Sequence, residues 1–156
     1  MRVACGFDHA GFALKSAVLD AVTHAGHEAE DVGTYSQEPV DYPDIAVRVA
    51  QAVLARGATR GVLVCGSGAG VAVAASKIAG IRAATVHDTY TAHQAVEHDN
   101  LNVLCLGARV IGPELAAELV ATFIGAGFSH EPRHERRLGK VSELEKGARA
   151  DVSPSA

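Results

Sequence analysis

The sequence predicts an α/β protein, a three-layer α/β/α sandwich in which a five-stranded parallel sheet carries helices on both faces and a last helix closes the chain. Three observations lead there. Short apolar runs alternate with longer stretches of helical periodicity along the 156 residues, the pattern of repeated strand-to-helix crossovers. Hydrophobic residues make up 48% of the chain and aromatics only 4%, so the core is built from Ala, Val, Leu and Ile, which suits strands buried on both faces. The length fits one such domain and leaves no room for a second.

Residues 2–7 form the first strand, Asp8-His9-Ala10-Gly11 a loop, and residues 12–25 a helix with apolar Phe12, Leu14, Val18, Ala21, Val22 and Ala25 at helical spacing. Residues 28–32 give a short second strand and Asp44 to Ala55 the second helix. Gly61-Val62-Leu63-Val64-Cys65 is almost wholly apolar and belongs at the sheet centre. A glycine-rich turn leads into a helix over Val71 to Ile78. Ile81 to Val86 is the fourth strand, Tyr90 to His98 the fourth helix, and Asn102 to Leu106 the fifth strand. Pro113 stands where a helix starts, and Gly125 and Gly127 are expected to end it. Glu131 to Lys146 reads as a polar terminal helix. The domain therefore spans residues 1–146, and 147–156 reads as a frayed tail.

Composition narrows the partners. A formal net charge of −4 lacks the basic field that nucleic-acid binding needs. No apolar run approaches the length of a membrane span, and the N-terminus lacks the layout of a signal peptide. The three cysteines, Cys5, Cys65 and Cys105, cannot all pair within the chain and form no Cys-x-x-Cys motif, which suits a reducing cytoplasm. The histidines offer no metal-ligand spacing: there is no His-Glu-x-x-His, and Pro132 interrupts His130 and His134.

In an open parallel sheet, ligands belong at the carboxyl ends of the strands. Cys65-Gly66-Ser67-Gly68-Ala69-Gly70 puts a thiol at such an end and follows it with glycines before a helix. Those residues fit an anion-binding loop or oxyanion hole made of amides from Gly66 to Gly70, or simply a tight strand-to-helix turn. A dinucleotide fingerprint would need a glycine where Val71 stands. A buried cysteine is ordinarily a small hydrophobe, and Cys5 and Cys105 read that way. Cys65, beside a helix start, is placed to work as a thiolate base or nucleophile.

Asp8 and His9 follow the first strand, where they could meet a polar ligand, or where Asp8 could cap the next helix. His98 closes a helix, either as a solvated cap or as a charged imidazole held by the dipole. Arg133 and Arg137 stand one helical turn apart, as a fork for phosphate or as a solvated face. Arg109 follows the fifth strand, within reach of a ligand.

Taken together these residues resemble one family, ribose-5-phosphate isomerase B with the related galactose-6-phosphate and allose-6-phosphate isomerases. The resemblance is carried by Gly6-Phe7-Asp8-His9-Ala10-Gly11, Asp41-Tyr42-Pro43, Cys65 to Gly70, Gly80-Ile81-Arg82-Ala83, His98, Asn102-Val103-Leu104, Gly107-Ala108-Arg109 and Arg133-His134. It implies a Rossmann-like sheet of strand order 2-1-3-5-4, a homodimer or dimer of dimers with active sites shared between subunits, a phosphorylated sugar substrate, and no metal or organic cofactor. By position, Cys65 corresponds to the base that moves a proton between C2 and C1. Ser67 and the Gly66, Gly68, Ala69 and Gly70 backbone correspond to groups that orient the sugar and stabilise the enediolate. His98 corresponds to the acid that opens the furanose ring. Asp8, His9, Tyr42, Arg109, Arg133 and Arg137 match substrate-binding positions.

Two positions depart from the family pattern. Asp99 follows His98 where the family commonly has Asn, and Ser76 precedes Lys77 where Asn is usual. Asp99 removes an amide donor and adds charge at a position expected to touch sugar, which leaves tetrose and hexose phosphates open as substrates. Members that use Glu as base form another branch, and Val73 stands about where that acid would be. A nucleotide-binding or flavodoxin-like module without catalysis would explain the fold, but would leave Cys65, His98 and the arginine pair without a common purpose.

Overall fold

A computed structural model describes residues 1–55 and 58–147. Its elements are β1 (Arg2–Phe7), a 3-10 turn (Gly11–Leu14), α1 (Lys15–His24), β2 (Glu28–Asp31), α2 (Tyr42–Leu54), β3 (Arg60–Cys65), α3 (Ala69–Ala75), β4 (Ala83–Thr85), α4 (Thr89–Asp99), β5 (Val103–Gly107), α5 (Pro113–Gly125) and α6 (Pro132–Glu145). The five strands form one sheet in the order β2-β1-β3-β5-β4, and each neighbouring pair is parallel. The expected sandwich and strand order are both present. The tail reading of 147–156 falls, beyond Gly147, outside the described residues.

Alternation along the central strands sends side chains into two cores. Val3, Cys5 and Phe7 of β1, Val62 and Val64 of β3, and Leu104 and Leu106 of β5 pack on one face with apolar residues of α1, α4 and α5. Ala4, Leu63, Cys65, Val103 and Cys105 pack on the other face with α2 and α3. Because both faces are covered, the central strands carry no polar side chain after the arginines that open β1 and β3, rather than alternating polar with apolar. β2 and β4 lie at the edges and pair on one side only, so they tolerate the polar run Glu28-Ala29-Glu30-Asp31 and a length of three residues.

Several boundaries differ from the sequence reading for local reasons. α2 starts at Tyr42, ahead of the expected Asp44, because extended Asp41 is its cap and Pro43 fits the first turn. The stretch after β1 opens as a 3-10 turn before α1 begins. The third helix starts at Ala69 directly after Gly68, which takes a φ of 82°, and stops at Ala75. β4 is shorter than Ile81 to Val86 because the chain is still turning at Gly80, where φ is 86°. α5 continues through Gly125. Its last carbonyls are instead taken by Arg60, whose guanidinium donates to Phe123 O and Ala126 O. No helix among the described residues is long and apolar enough to cross a membrane.

Candidate active site

The chain leaves β1 toward β2 at one side of the sheet and leaves β3 toward β4 at the other. The carboxyl ends of β1 and β3 therefore flank a crevice that no connection covers. An open pocket of about 380 Å³ lies there, lined by Asp8, His9, Ala10, Tyr42, Cys65, Gly66, Ser67, Gly70, Arg109 and Val110. Eight of the residues singled out in the sequence thus converge from four separate stretches of chain.

Close backbone packing builds the crevice. A Cβ on Gly11 would stand 2.1 Å from the Val64 carbonyl oxygen, so only glycine lets the loop after β1 lie against the end of β3. A Cβ on Gly107 would stand 2.6 Å from the Ser67 carbonyl, which presses the Cys65–Gly70 loop onto the end of β5. Gly107 N–H in turn donates to His87 Nε2 at 2.9 Å. Burial lowers the pKa of that imidazole, which keeps His87 an acceptor.

Within the pocket the polar groups are fixed by the backbone. Cys65 Sγ accepts from Gly68 N–H at 3.1 Å, which holds the sulfur at the start of the loop. Ser67 Oγ accepts from Ala69 N–H at 3.2 Å. Two of the amides read as an oxyanion-hole set are thus engaged with the side chains of Cys65 and Ser67. Asp8 is buried, and Oδ1 accepts from Gly11 N–H at 2.8 Å. It therefore caps the 3-10 turn and lines the pocket at once. His9 Nδ1 accepts from Val40 N–H at 3.3 Å, which leaves the neutral ring's proton on Nε2. The Tyr42 ring lies 3.2 Å from where a Cβ on Gly70 would be, and the Arg109 guanidinium 3.4 Å from one on Gly66.

The other two cysteines are chemically quiet. Burial first, then Asp31 and Glu30, push the Cys5 thiol up to about 12. Burial and then Cys65 raise Cys105 as well.

His98, Asp99, Arg133 and Arg137 do not line this pocket. His98 and Asp99 end α4, and the arginines lie on α6, which packs against α4. The His98 ring stacks on that of His134, with centroids 4.0 Å apart. His134 is almost fully buried, Ser129 Oγ lies 2.6 Å from its Nδ1, and burial followed by His98 and Arg133 lowers its pKa. Arg133 Nε pairs with Glu131 at 2.8 Å. Asp99 and Arg137 border a separate groove of about 510 Å³ that also includes Arg82, Leu138, Val141 and Leu144. His134 enters the sequence reading within the Arg133-His134 family match, with no role assigned, because it sits inside an Arg-rich run. His134 is the one buried residue of α6, while Leu138 is partly buried and Val141 half exposed, so no apolar stripe in the sequence marks it. Among the described residues no cluster of His, Cys, Asp or Glu could hold a metal ion.

A family model described as Ribose/Galactose Isomerase matches residues 3–141. The chain belongs to the ribose/galactose isomerase family. Ribose-5-phosphate isomerase B of Escherichia coli is 40% identical over 144 residues, which cover 92% of this chain and 96% of that one. D-erythrulose-4-phosphate isomerase of Pectobacterium atrosepticum is 41% identical over 132 residues, 82% and 85% of the two chains. Among solved structures, ribose-5-phosphate isomerase B of Mycoplasma genitalium with bound ribulose 5-phosphate superposes with a TM-score of 0.86. It is 36% identical and covers 93% of this chain and 96% of its own. As a member of this family the chain is an isomerase.

Proposed function

We propose that the chain interconverts ribose 5-phosphate and ribulose 5-phosphate through a cis-enediolate. The observation that carries this reading is the position of Cys65, a thiol with an amide donor on its sulfur, inside the crevice between β1 and β3. In the open aldose the Cys65 thiolate removes the C2 proton, and the C–H electron pair becomes the C1–C2 double bond of the enediolate. The thiol returns the proton to C1, while a hydroxyl proton passes from O2 to O1. Ser67 and those amides of residues 66–70 that are not already bound to Cys65 and Ser67 stabilise the oxygen that gains charge, and Asp8 and Tyr42 orient the sugar hydroxyls.

The furanose must open before C2 can be deprotonated, and we assign His98 as the acid for that step. His9, Arg109, Arg133 and Arg137 supply cationic or N–H donors for the phosphate. His98, Arg133 and Arg137 are grouped on α4 and α6 while Cys65 lies in the crevice. That separation supports an active site completed by a second copy of the chain, in a homodimer or dimer of dimers. Every step uses side chains and amides, so turnover should survive chelators. Reliance on a free thiol supports a cytoplasmic setting.

A second reading, a tetrose or hexose phosphate as preferred substrate, is favoured by Asp99 and by the D-erythrulose-4-phosphate isomerase among the relatives. A coupled aldose-to-ketose assay over ribose 5-phosphate, erythrose 4-phosphate, allose 6-phosphate and galactose 6-phosphate separates the two. Solvent exchange of the C2 proton with Cys65→Ala, checked by a melting curve, tests the base. Near-normal exchange by the folded variant would remove the thiol from the mechanism.

A further inference from the structure

The motif Gly80-Ile81-Arg82-Ala83 has no part in the chemistry above, yet its arginine grips the segment that carries His98. Helix α4 ends at Asp99, and Asn100 turns the chain in the left-handed region with φ 50° and ψ 46°. Carbonyls at such an end have no partner within the helix. Arg82 supplies one: its Nε donates to Asn100 O at 2.7 Å, and Nη1 reaches Gly80 O at 3.5 Å. Asn102 ties the same corner, since its Oδ1 accepts from Arg82 N–H at 2.7 Å and its Nδ2 donates to Gly80 O at 2.8 Å. The amides of Asn102 and Val103 both donate to the Arg82 carbonyl at 3.1 Å. A half-buried guanidinium therefore fastens the backbone immediately after His98 and Asp99 to the turn that leads into β4.

We infer that Arg82 is a positioning residue for His98. By holding the Asn100 carbonyl it fixes the last turn of α4 and hence the orientation in which the imidazole is presented. The inference rests on the reading of His98 as the ring-opening acid, and that role has a specific readout. Ribose 5-phosphate is a closed furanose that must open. Ribulose 5-phosphate, with O5 esterified, has no hydroxyl able to close a five-membered ring on C2. Poor presentation of His98 therefore slows turnover of the aldose, while exchange of the C1 protons of ribulose 5-phosphate with solvent, which needs only the enediolate step, continues.

The test uses Arg82→Lys, which keeps the charge but loses the planar fork, and Arg82→Gln, which keeps a donor without the charge. For each, kcat/KM on ribose 5-phosphate, C1 exchange in ribulose 5-phosphate and a melting curve are measured. Misplacement of a group through its support can cost up to about a hundredfold, so a forward loss of about tenfold or more is expected, with exchange held near the wild-type rate. In a His98→Ala background, substitution of Arg82 should cost no further forward activity. Equal losses in both measurements, or forward losses that multiply with those of His98→Ala, overturn the inference. So does failure of both variants to fold, which would make Arg82 a determinant of the fold. A wild type that exchanges no proton of ribulose 5-phosphate overturns the function proposed above. Wild-type exchange with an unselective Arg82 defect removes only the positioning role.

Discussion

Iodoacetamide at pH 8.5 should modify one cysteine of the folded protein, Cys65, and abolish turnover as it does so. Alkylation needs both access and the thiolate, and burial works against both at Cys5 and Cys105. Cys5 is fully buried, and burial together with Asp31 and Glu30 pushes it up to about 12. Such a thiol is ionised to about one part in three thousand at pH 8.5, before any cost of opening the core to admit reagent. Cys105 is likewise inaccessible and raised by burial. Cys65 borders the open pocket and has Gly68 N–H directed at its sulfur. Labelling of Cys65 should therefore outrun that of the others by about a hundredfold or more. Peptide mass spectrometry alongside residual activity measures both, and ribulose 5-phosphate should slow the reaction by filling the pocket. Labelling of Cys5 or Cys105 at a comparable rate, or full labelling of Cys65 with turnover retained, would refute the reasoning.

Arg133→Ala and Arg137→Ala should raise KM more than they lower kcat, because phosphate is held alike in the ground and transition states. Steady-state kinetics with inorganic phosphate as competitor reads this, and unchanged KM in both variants would return the pair to a solvated face. Gly11→Ala should lower the melting temperature, since its Cβ would meet the Val64 carbonyl at 2.1 Å and overpacking of this kind costs about 1–3 kcal/mol or more. Gly127→Ala, with open space around its Cβ, serves as the silent control. Asp99→Asn restores an amide donor and removes a charge from the rim shared with Arg137. It should reorder kcat/KM among pentose, tetrose and hexose phosphates, and an unchanged ranking would place Asp99 outside the sugar contact.

The sheet is legible in the sequence because β1, β3 and β5 are buried on both faces, so each is a short uninterrupted apolar run. The edge strands are weaker signals: Glu28-Ala29-Glu30-Asp31 and Ala83-Ala84-Thr85 gain their identity from pairing to one neighbour, a tertiary fact. Helix starts governed by Pro43 and Pro113 follow local rules, and the α2 reading misses by only two residues. The end of α5 is not local, because Arg60, from the start of β3, supplies the partners that a terminal glycine would otherwise make unnecessary. In the site, Cys65 and its glycines are readable from a strand end and a turn, and Asp8 and His9 from the next strand end. His134 is not, because its burial depends on α6 folding back onto α4. Strand order reached the reading through family resemblance rather than through periodicity, which carries no information about lateral neighbours.

The separation of Cys65 from His98 within one chain yields a decisive prediction about assembly. If each active site takes Cys65 from one subunit and His98 from the other, then Cys65→Ala and His98→Ala chains are both inactive alone but complementary. A mixed dimer of the two contains one site with both residues replaced and one with both intact. Equal mixing with free exchange makes half the dimers mixed, so about a quarter of all sites regain the wild-type pair. Unfolding the two proteins together and refolding them should therefore restore about 25% of wild-type kcat on ribose 5-phosphate, with KM unchanged. Refolding each variant separately and then combining them at low concentration should restore little, because subunits must exchange for the site to form. An α4 that instead delivered its own His98 to its own Cys65 would give no intact site in any mixture. Persistent inactivity of the co-refolded mixture, with both variants folded, would accordingly place all the chemistry within a single chain.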